Sequence, residues 1–158
     1  SGRMVHGFFL NNQLTDFSFR PVDERGQAIA NAVAPGKKPR SSMSPTIVFG
    51  GGRPQLAVGS PSGTRIISCV AQTILNRFAF GLSLYDAIAQ IRYHHQWTPD
   101  EIRVDLPGFP GPVEKELEAR GYKINKTDLG CRVSGVEFSQ GLLHGVADPR
   151  GEGLALGN

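Results

Sequence analysis

The sequence has two cysteines, a net charge of only +3, and no apolar run approaching the length of a membrane span. A spanning helix needs about 18 or more apolar residues in a row, so no membrane span is expected. Seventeen basic against fourteen acidic side chains give no face for a polyanion, so no nucleic-acid partner is expected either. Internal repeats and low-complexity tracts are also missing. Cys69 and Cys131 offer one pairing and no spacing pattern. A disulfide is possible but has no support in the spacing, and a free Cys69, inside an apolar helix, would behave as a small buried hydrophobe. The redox compartment is not legible from this usage.

Several signatures of chemistry are missing too. No G-x-S-x-G elbow occurs, and the neighbours of neither cysteine mark a nucleophile. The turn "GSPSGT" lacks the Lys of a phosphate loop, because Gly63 is followed by Thr64 and Arg65. No nucleotide cofactor is expected. His94 and His95 are adjacent in an extended segment, so they point to opposite sides and make no metal face. A packing and hydrogen-bonding role is favoured for them, and no metal is expected. His6 and His144 are isolated. The opening "SGRMVHGFFLNN" shows no sustained apolar segment or cleavage site, and it starts with Ser1 rather than Met. The chain is read as a processed or truncated product.

What remains is a globular, loop-rich composition: 158 residues, 39% hydrophobic, with 20 glycines and 11 prolines. Residues 1–158 are expected to form a single domain. Met4 to Leu10 reads as a strand, and Arg20 to Arg40 as a long surface loop. "PTIVF", "GGGRP" and "QLAVG" predict a hairpin over Thr46 to Gly59. Ile66, Ile67, Val70, Ile74 and Phe78 recur near helical spacing, predicting a helix from Thr64 to about Phe80 that Gly81 stops. Ser83 and Asp86 form a capping box for a second helix to about Ile91. "RYHHQWTPDEIRVDLP" is an aromatic-rich connection into a short strand at Ile102 to Val104. "GPVEKELEARGY" is an exposed helix, and three strands follow in "YKINKTD", "CRVSGVEFS" and "LLHGVADPR". Mixed α and β without regular alternation points to a layered α/β sandwich.

Three polar clusters are candidates for binding. Asn11, Asn12, Gln13, Thr15 and Asp16 crowd one strand end: an Asx-type turn, or a carboxylate with amide oxygens able to accept from an ammonium. Ser41, Ser42 and Ser44 stand before a strand, with hydroxyls and N–H groups able to hold a carboxylate. "GSPSGTRI" enters a helix, where unpaired N–H groups attract an anion.

In this order and spacing, "FLNNQLTDFS", "PGKKPRSSMSPTIV", "GSPSGTRI", "HHQWTPD" and "ADPR" resemble the successive motifs of the γ-glutamyltransferase (γ-glutamyltranspeptidase) family, over nearly the whole chain. The match is to the C-terminal part of the small subunit. The resemblance implies an αββα sandwich of the N-terminal-nucleophile hydrolase type, self-cleaved into two subunits. It implies a γ-glutamyl group moved from glutathione-like substrates to water, amino acids or peptides, through an acyl-enzyme on an N-terminal Thr. By the same resemblance, Gln13 and Asp16 hold the substrate ammonium and Ser41 and Ser42 its carboxylate. Ser62 and Gly63 supply the oxyanion-hole N–H groups. The Thr is expected a few tens of residues before Ser1, so this chain alone is expected to be inactive. Its partners would be that segment and the large subunit, and its location periplasmic or extracellular. Two residues depart from the pattern: Thr15 stands for the first Asp of a pair, and Ser62 for the first Gly of a double glycine. They keep open a related acylase acting on glutaryl or cephalosporin-type side chains. A catalytically inactive binding fragment is the other alternative.

Overall fold

The structure is a computed structural model that describes residues 2–157. The chain forms two compact units, one running up to Ser41 and the other from Ser42 onward.

The first unit is almost entirely turns. The strand predicted over Met4 to Leu10 is instead a minimal antiparallel hairpin of β1 (Met4–Val5) and β2 (Phe8–Phe9). His6 at φ 50° and Gly7 at φ 83° make the two-residue turn whose twist suits a hairpin. A single 3-10 turn covers Gln13–Asp16, and Phe17 behind it is buried. The loop from Arg20 to Arg40 has no helix or strand but is internally bonded, since Asp23 Oδ1 accepts from the N–H groups of Arg25 and Gln27.

The second unit carries the layers. β3 (Thr46–Gly50) and β4 (Arg53–Gly59) form the expected hairpin. A 3-10 turn, Gly63–Arg65, leads into α1 (Ile66–Phe78), so the first turn of the predicted helix is the tighter form. Ser83 caps α2 (Leu84–Ala89) as its capping box requires, its Oγ accepting from the Asp86 N–H at 3.1 Å. The helix stops short of Ile91 because Gln90, at ψ 150°, has already left helical space. The stretch read as a connection is itself a strand, β5 (Tyr93–Gln96), paired antiparallel with β6 (Glu101–Val104). α3 (Gly111–Ala119) is the crossover that lets β7 (Ile124–Lys126) run parallel to β6. β8 (Ser134–Ser139) and β9 (Leu142–Ala147) complete an antiparallel sheet of order β3-β4-β8-β9.

The strand period of two divides this sheet. Leu56 and Val58 of β4 face α1 and α2, burying themselves among Ile66, Val70, Leu84 and Ile88. Ile47, Ala57, Val136 and Gly145 lie in register on the other face. There, with the tail residues Leu154 and Leu156, they line an open trough of about 1010 Å³.

One sequence expectation is corrected: Cys69 is not a free hydrophobe but is disulfide-bonded to Cys131, 62 residues away. A spacing this long leaves no local trace, because the fold and not the sequence brings the two Cα atoms to 6.5 Å. The bridge fastens α1 to the segment before β8. Cross-linking so long a loop restricts the unfolded chain, a contribution of about 2–5 kcal/mol. A C69A/C131A variant is therefore expected to unfold at distinctly lower urea concentration than the parent, with the loss in that range.

Between Asp148 and Asp105, Arg92 is 1% exposed. Its Nη2 donates to Asp148 Oδ2 at 2.5 Å, and its Nε lies 3.7 Å from Asp105 Oδ2. Burial lowers the Arg92 pKa against the pull of Asp148. Burial also pushes the Asp148 carboxyl up, but the Arg150 N–H, Arg92 and the Val133 N–H outweigh it and hold the pKa below its ordinary value. A depressed carboxyl contributes stability that is complete above its unfolded pKa and is lost as pH falls through the folded one. The acid limb of unfolding below about pH 4 is accordingly expected to steepen through Asp148. D148N, which strands a buried guanidinium, should cost about 3–5 kcal/mol by urea titration at neutral pH.

Candidate functional site

Each candidate residue can be placed. Gln13 and Asp16 share the 3-10 turn of the first unit. Its polar crowding is partly self-directed: the Gln13 N–H donates to Asn11 Oδ1 at 3.1 Å, and the Thr15 hydroxyl to the Asn12 carbonyl at 2.7 Å. Thr15 is thus spent on the turn, while the Asp16 side chain is exposed. Ser41 closes the first unit and Ser42 opens the second. Within the serine cluster Ser44 Oγ donates to the Ser42 carbonyl and Thr46 Oγ1 to the Ser44 carbonyl, both at 3.1 Å.

A residue that sequence reasoning passed over ties the Asp16 turn to the end of the first unit's loop. Asn31 Nδ2 donates to the Asp16 carbonyl at 2.7 Å, and Asn31 Oδ1 accepts the N–H of Arg40, next to Ser41, at 3.0 Å. One amide thereby joins the Asp16 turn to Arg40 within the first unit. Nothing in the local sequence distinguishes Asn31 from any loop asparagine, so no signal was available.

The third cluster is the turn between β4 and α1. Ser62 stands at φ 122° and Gly63 at φ 57°, and the Arg65 N–H closes back on the Ser62 carbonyl at 3.3 Å. Ser62 and Gly63 sit where a helix start leaves N–H groups with no acceptor inside the helix. Two backbone donors on consecutive residues, at the positive end of α1, are suited to an oxyanion. The Ser62 hydroxyl is engaged with the protein: it donates to the Leu129 carbonyl and accepts from Arg65 Nε at 3.0 Å. Leu129 is held by Asp105, whose Oδ1 accepts its N–H at 3.0 Å. Next to it, hydrogen bonds from Arg132 and the Gly130 N–H pull the Asp128 carboxyl down to about 2, keeping it ionised.

The histidine pair divides as its alternation requires. His94 is buried, with Nδ1 2.8 Å from Ser68 Oγ and Nε2 2.9 Å from Gln96 Oε1. Gln96 Nε2 donates to the Thr98 carbonyl, so its Oε1 is left to accept. His94 Nε2 therefore carries the proton and Nδ1 accepts from Ser68. His95 lies on the other side, 3.0 Å from Asp100. Gln72 of α1 completes the docking, pairing with both the N–H and the carbonyl of Tyr93. Among the described residues no group of three or more His, Cys, Asp or Glu side chains is arranged to hold a metal.

Comparison with known proteins bears on this geometry as a whole. The family model described as gamma-glutamyltranspeptidase matches residues 1–158. The chain is 44% identical over 149 residues to the glutathione hydrolase proenzyme of Escherichia coli K12, covering 91% of this chain and 26% of the relative. It is 38% identical over 159 residues to the glutathione hydrolase proenzyme of Pseudomonas aeruginosa, covering 95% of this chain and 28% of the relative. It thus spans only about a quarter of the length of these relatives. It superposes on the Pseudomonas nitroreducens gamma-glutamyltranspeptidase complexed with L-DON with a TM-score of 0.85 and 35% identity, covering 100% of this chain and 86% of that one. The fold is accordingly the mixed, layered α/β fold of the N-terminal-nucleophile hydrolases, as the motifs imply.

Removing the Asn31 side chain tests the link within the first unit. N31A is expected to speed amide exchange at Arg40 about tenfold, the loss of one hydrogen bond of about 1–1.5 kcal/mol. Exchange followed by NMR or mass spectrometry reads it directly.

Proposed function

The chain belongs to the γ-glutamyltranspeptidase family, and on that premise we propose that it is part of an enzyme that transfers γ-glutamyl groups. The donor is a γ-glutamyl amide of glutathione type. An N-terminal Thr from outside this chain attacks its carbonyl, and water, an amino acid or a peptide resolves the acyl-enzyme. The observation that carries the reading is the Ser62–Gly63 turn. It offers consecutive backbone N–H groups at the positive end of a helix, inside a match that covers the chain. As the carbonyl oxygen gains charge in the tetrahedral intermediate, such fixed donors strengthen their hold on it, which lowers the barrier.

Substrate recognition follows from the other clusters. Asp16 and Gln13 accept from the α-ammonium, and Ser41 and Ser42 donate to the α-carboxylate. The Thr15 hydroxyl gives its proton to the turn, so the charge that meets the ammonium is that of Asp16 alone. The large subunit of the same precursor is the proposed partner. The apolar outer face of the β3-β4-β8-β9 sheet supports this, as a sandwich needs a second layer there. Self-cleavage of a precursor accords with the proenzyme names of the relatives. The Cys69–Cys131 disulfide supports a periplasmic or extracellular location, where such bonds persist.

The ammonium separates this reading from a glutaryl acylase. The full-length protein is expected to hydrolyse γ-glutamyl-p-nitroanilide at least tenfold faster than glutaryl-p-nitroanilide in kcat/KM. D16N should erase most of that preference, a charge-assisted hydrogen bond being worth roughly ten- to a hundredfold. Equal rates on both substrates would favour the acylase, and activity on neither a binding role.

A further inference from the structure

We propose that Ser62 is a positioning residue whose side chain latches the oxyanion turn in a backbone shape that glycine would otherwise be needed to hold. The inference rests on the γ-glutamyl transfer reading for its catalytic consequence, but its geometry is independent of it. At φ 122° a Cβ-bearing residue is strained, and only an over-determined surrounding keeps it there. Ser62 has such a surrounding. Its hydroxyl proton goes to the Leu129 carbonyl and its oxygen takes the Arg65 Nε–H, so both ends of the side chain are fixed.

The anchor is itself held from two sides and left room on a third. Asp105 accepts the Leu129 N–H, the Cys69–Cys131 bridge fixes the chain two residues on, and Gly130 leaves room for the contact. A Cβ on Gly130, already at φ 68°, would lie 3.3 Å from Ser62 Oγ. The hydroxyl is consumed in this latch, so it acts on substrate only through the orientation of the Ser62 and Gly63 N–H groups. A turn held this way meets the developing oxyanion without reorganising, and its effect falls on the transition state rather than on substrate binding.

The test uses the full-length enzyme with S62A and S62G. S62A keeps the strained Cβ and removes the latch. Its kcat on γ-glutamyl-p-nitroanilide is expected to fall roughly 10- to 100-fold with KM within about twofold, approaching the loss of an oxyanion donor. S62G removes latch and strain together, and should recover most of that kcat. In parallel, amide exchange at Gly63 should be faster in S62A than in the parent. Parent-like kcat in S62A overturns the proposal. Equal losses in S62A and S62G also overturn it, because they would mean that the hydroxyl itself meets the reacting groups. If the parent enzyme leaves γ-glutamyl substrates untouched, the functional reading fails by itself. The latch is then judged by exchange alone, and unchanged Gly63 exchange in S62A sinks it.

Discussion

A single guanidinium organises the second unit. Arg92 is almost wholly buried between Asp148 and Asp105, and each of these carboxylates uses an oxygen on a backbone N–H as well. Asp105 takes the N–H of Leu129 and Asp148 that of Val133. The irregular run from Leu129 to Val133 is therefore pinned at both ends by one neutralised charge cluster, and in its middle by the disulfide at Cys131. The same cluster reaches the helices. Arg150 donates to Asp148 Oδ1 and to the carbonyls of Ile88, Ala89 and Gln90, satisfying the end of α2. Arg92 Nε lies at 3.7 Å from Asp105, within attraction but beyond a hydrogen bond. The cluster is thus strong in charge and incomplete in bonding, so removing one partner costs more than the pair itself contributes.

This frame explains how a backbone can be held ready for the proposed oxyanion role. An oxyanion hole made of N–H groups has no side-chain identity to defend, and what matters is where the chain holds them. Ser62 and Gly63 are held at the end of a line that runs from Arg92 through Asp105 and Leu129 to the Ser62 hydroxyl. The candidate binding residues, by contrast, act through side chains: Gln13 and Asp16 on a 3-10 turn, Ser41 and Ser42 on an irregular run before β3.

Much of this was legible in the sequence where the physics is local. The Ser83 cap, the Gly-rich hairpin turn before Arg53, the apolar stripe of α1 and the opposed histidines all follow from short-range rules, and the structure has them. The motif order carried the family in the same way. Local rules failed where an element is short or polar. His6 and Gly7 break one apolar run into two strands of two residues, and β5, made of Tyr, two His and Gln, lacks the apolar alternation that marks a strand. The disulfide, the Asn31 bridge and the Ser62–Leu129 contact join residues from 9 to 67 positions apart. Nothing short of the fold brings them together.

The departure at Ser62 shows how sequence and structure divide the work. Read alone, a serine in place of the first glycine suggests a narrower pocket or an altered substrate, because the added atoms must go somewhere. The structure says where: the hydroxyl is turned onto Leu129 and Arg65, and the neighbour that would obstruct it is Gly130. The glycine missing from the turn is matched by a glycine across from it. The position has exchanged conformational freedom for a hydrogen bond, and such an exchange stays neutral only while the facing segment keeps its place. That ties the turn's chemistry to Arg92, through Asp105 and Leu129, and to the Cys69–Cys131 bridge, whose Cys131 Sγ lies 3.9 Å from the Arg65 carbonyl.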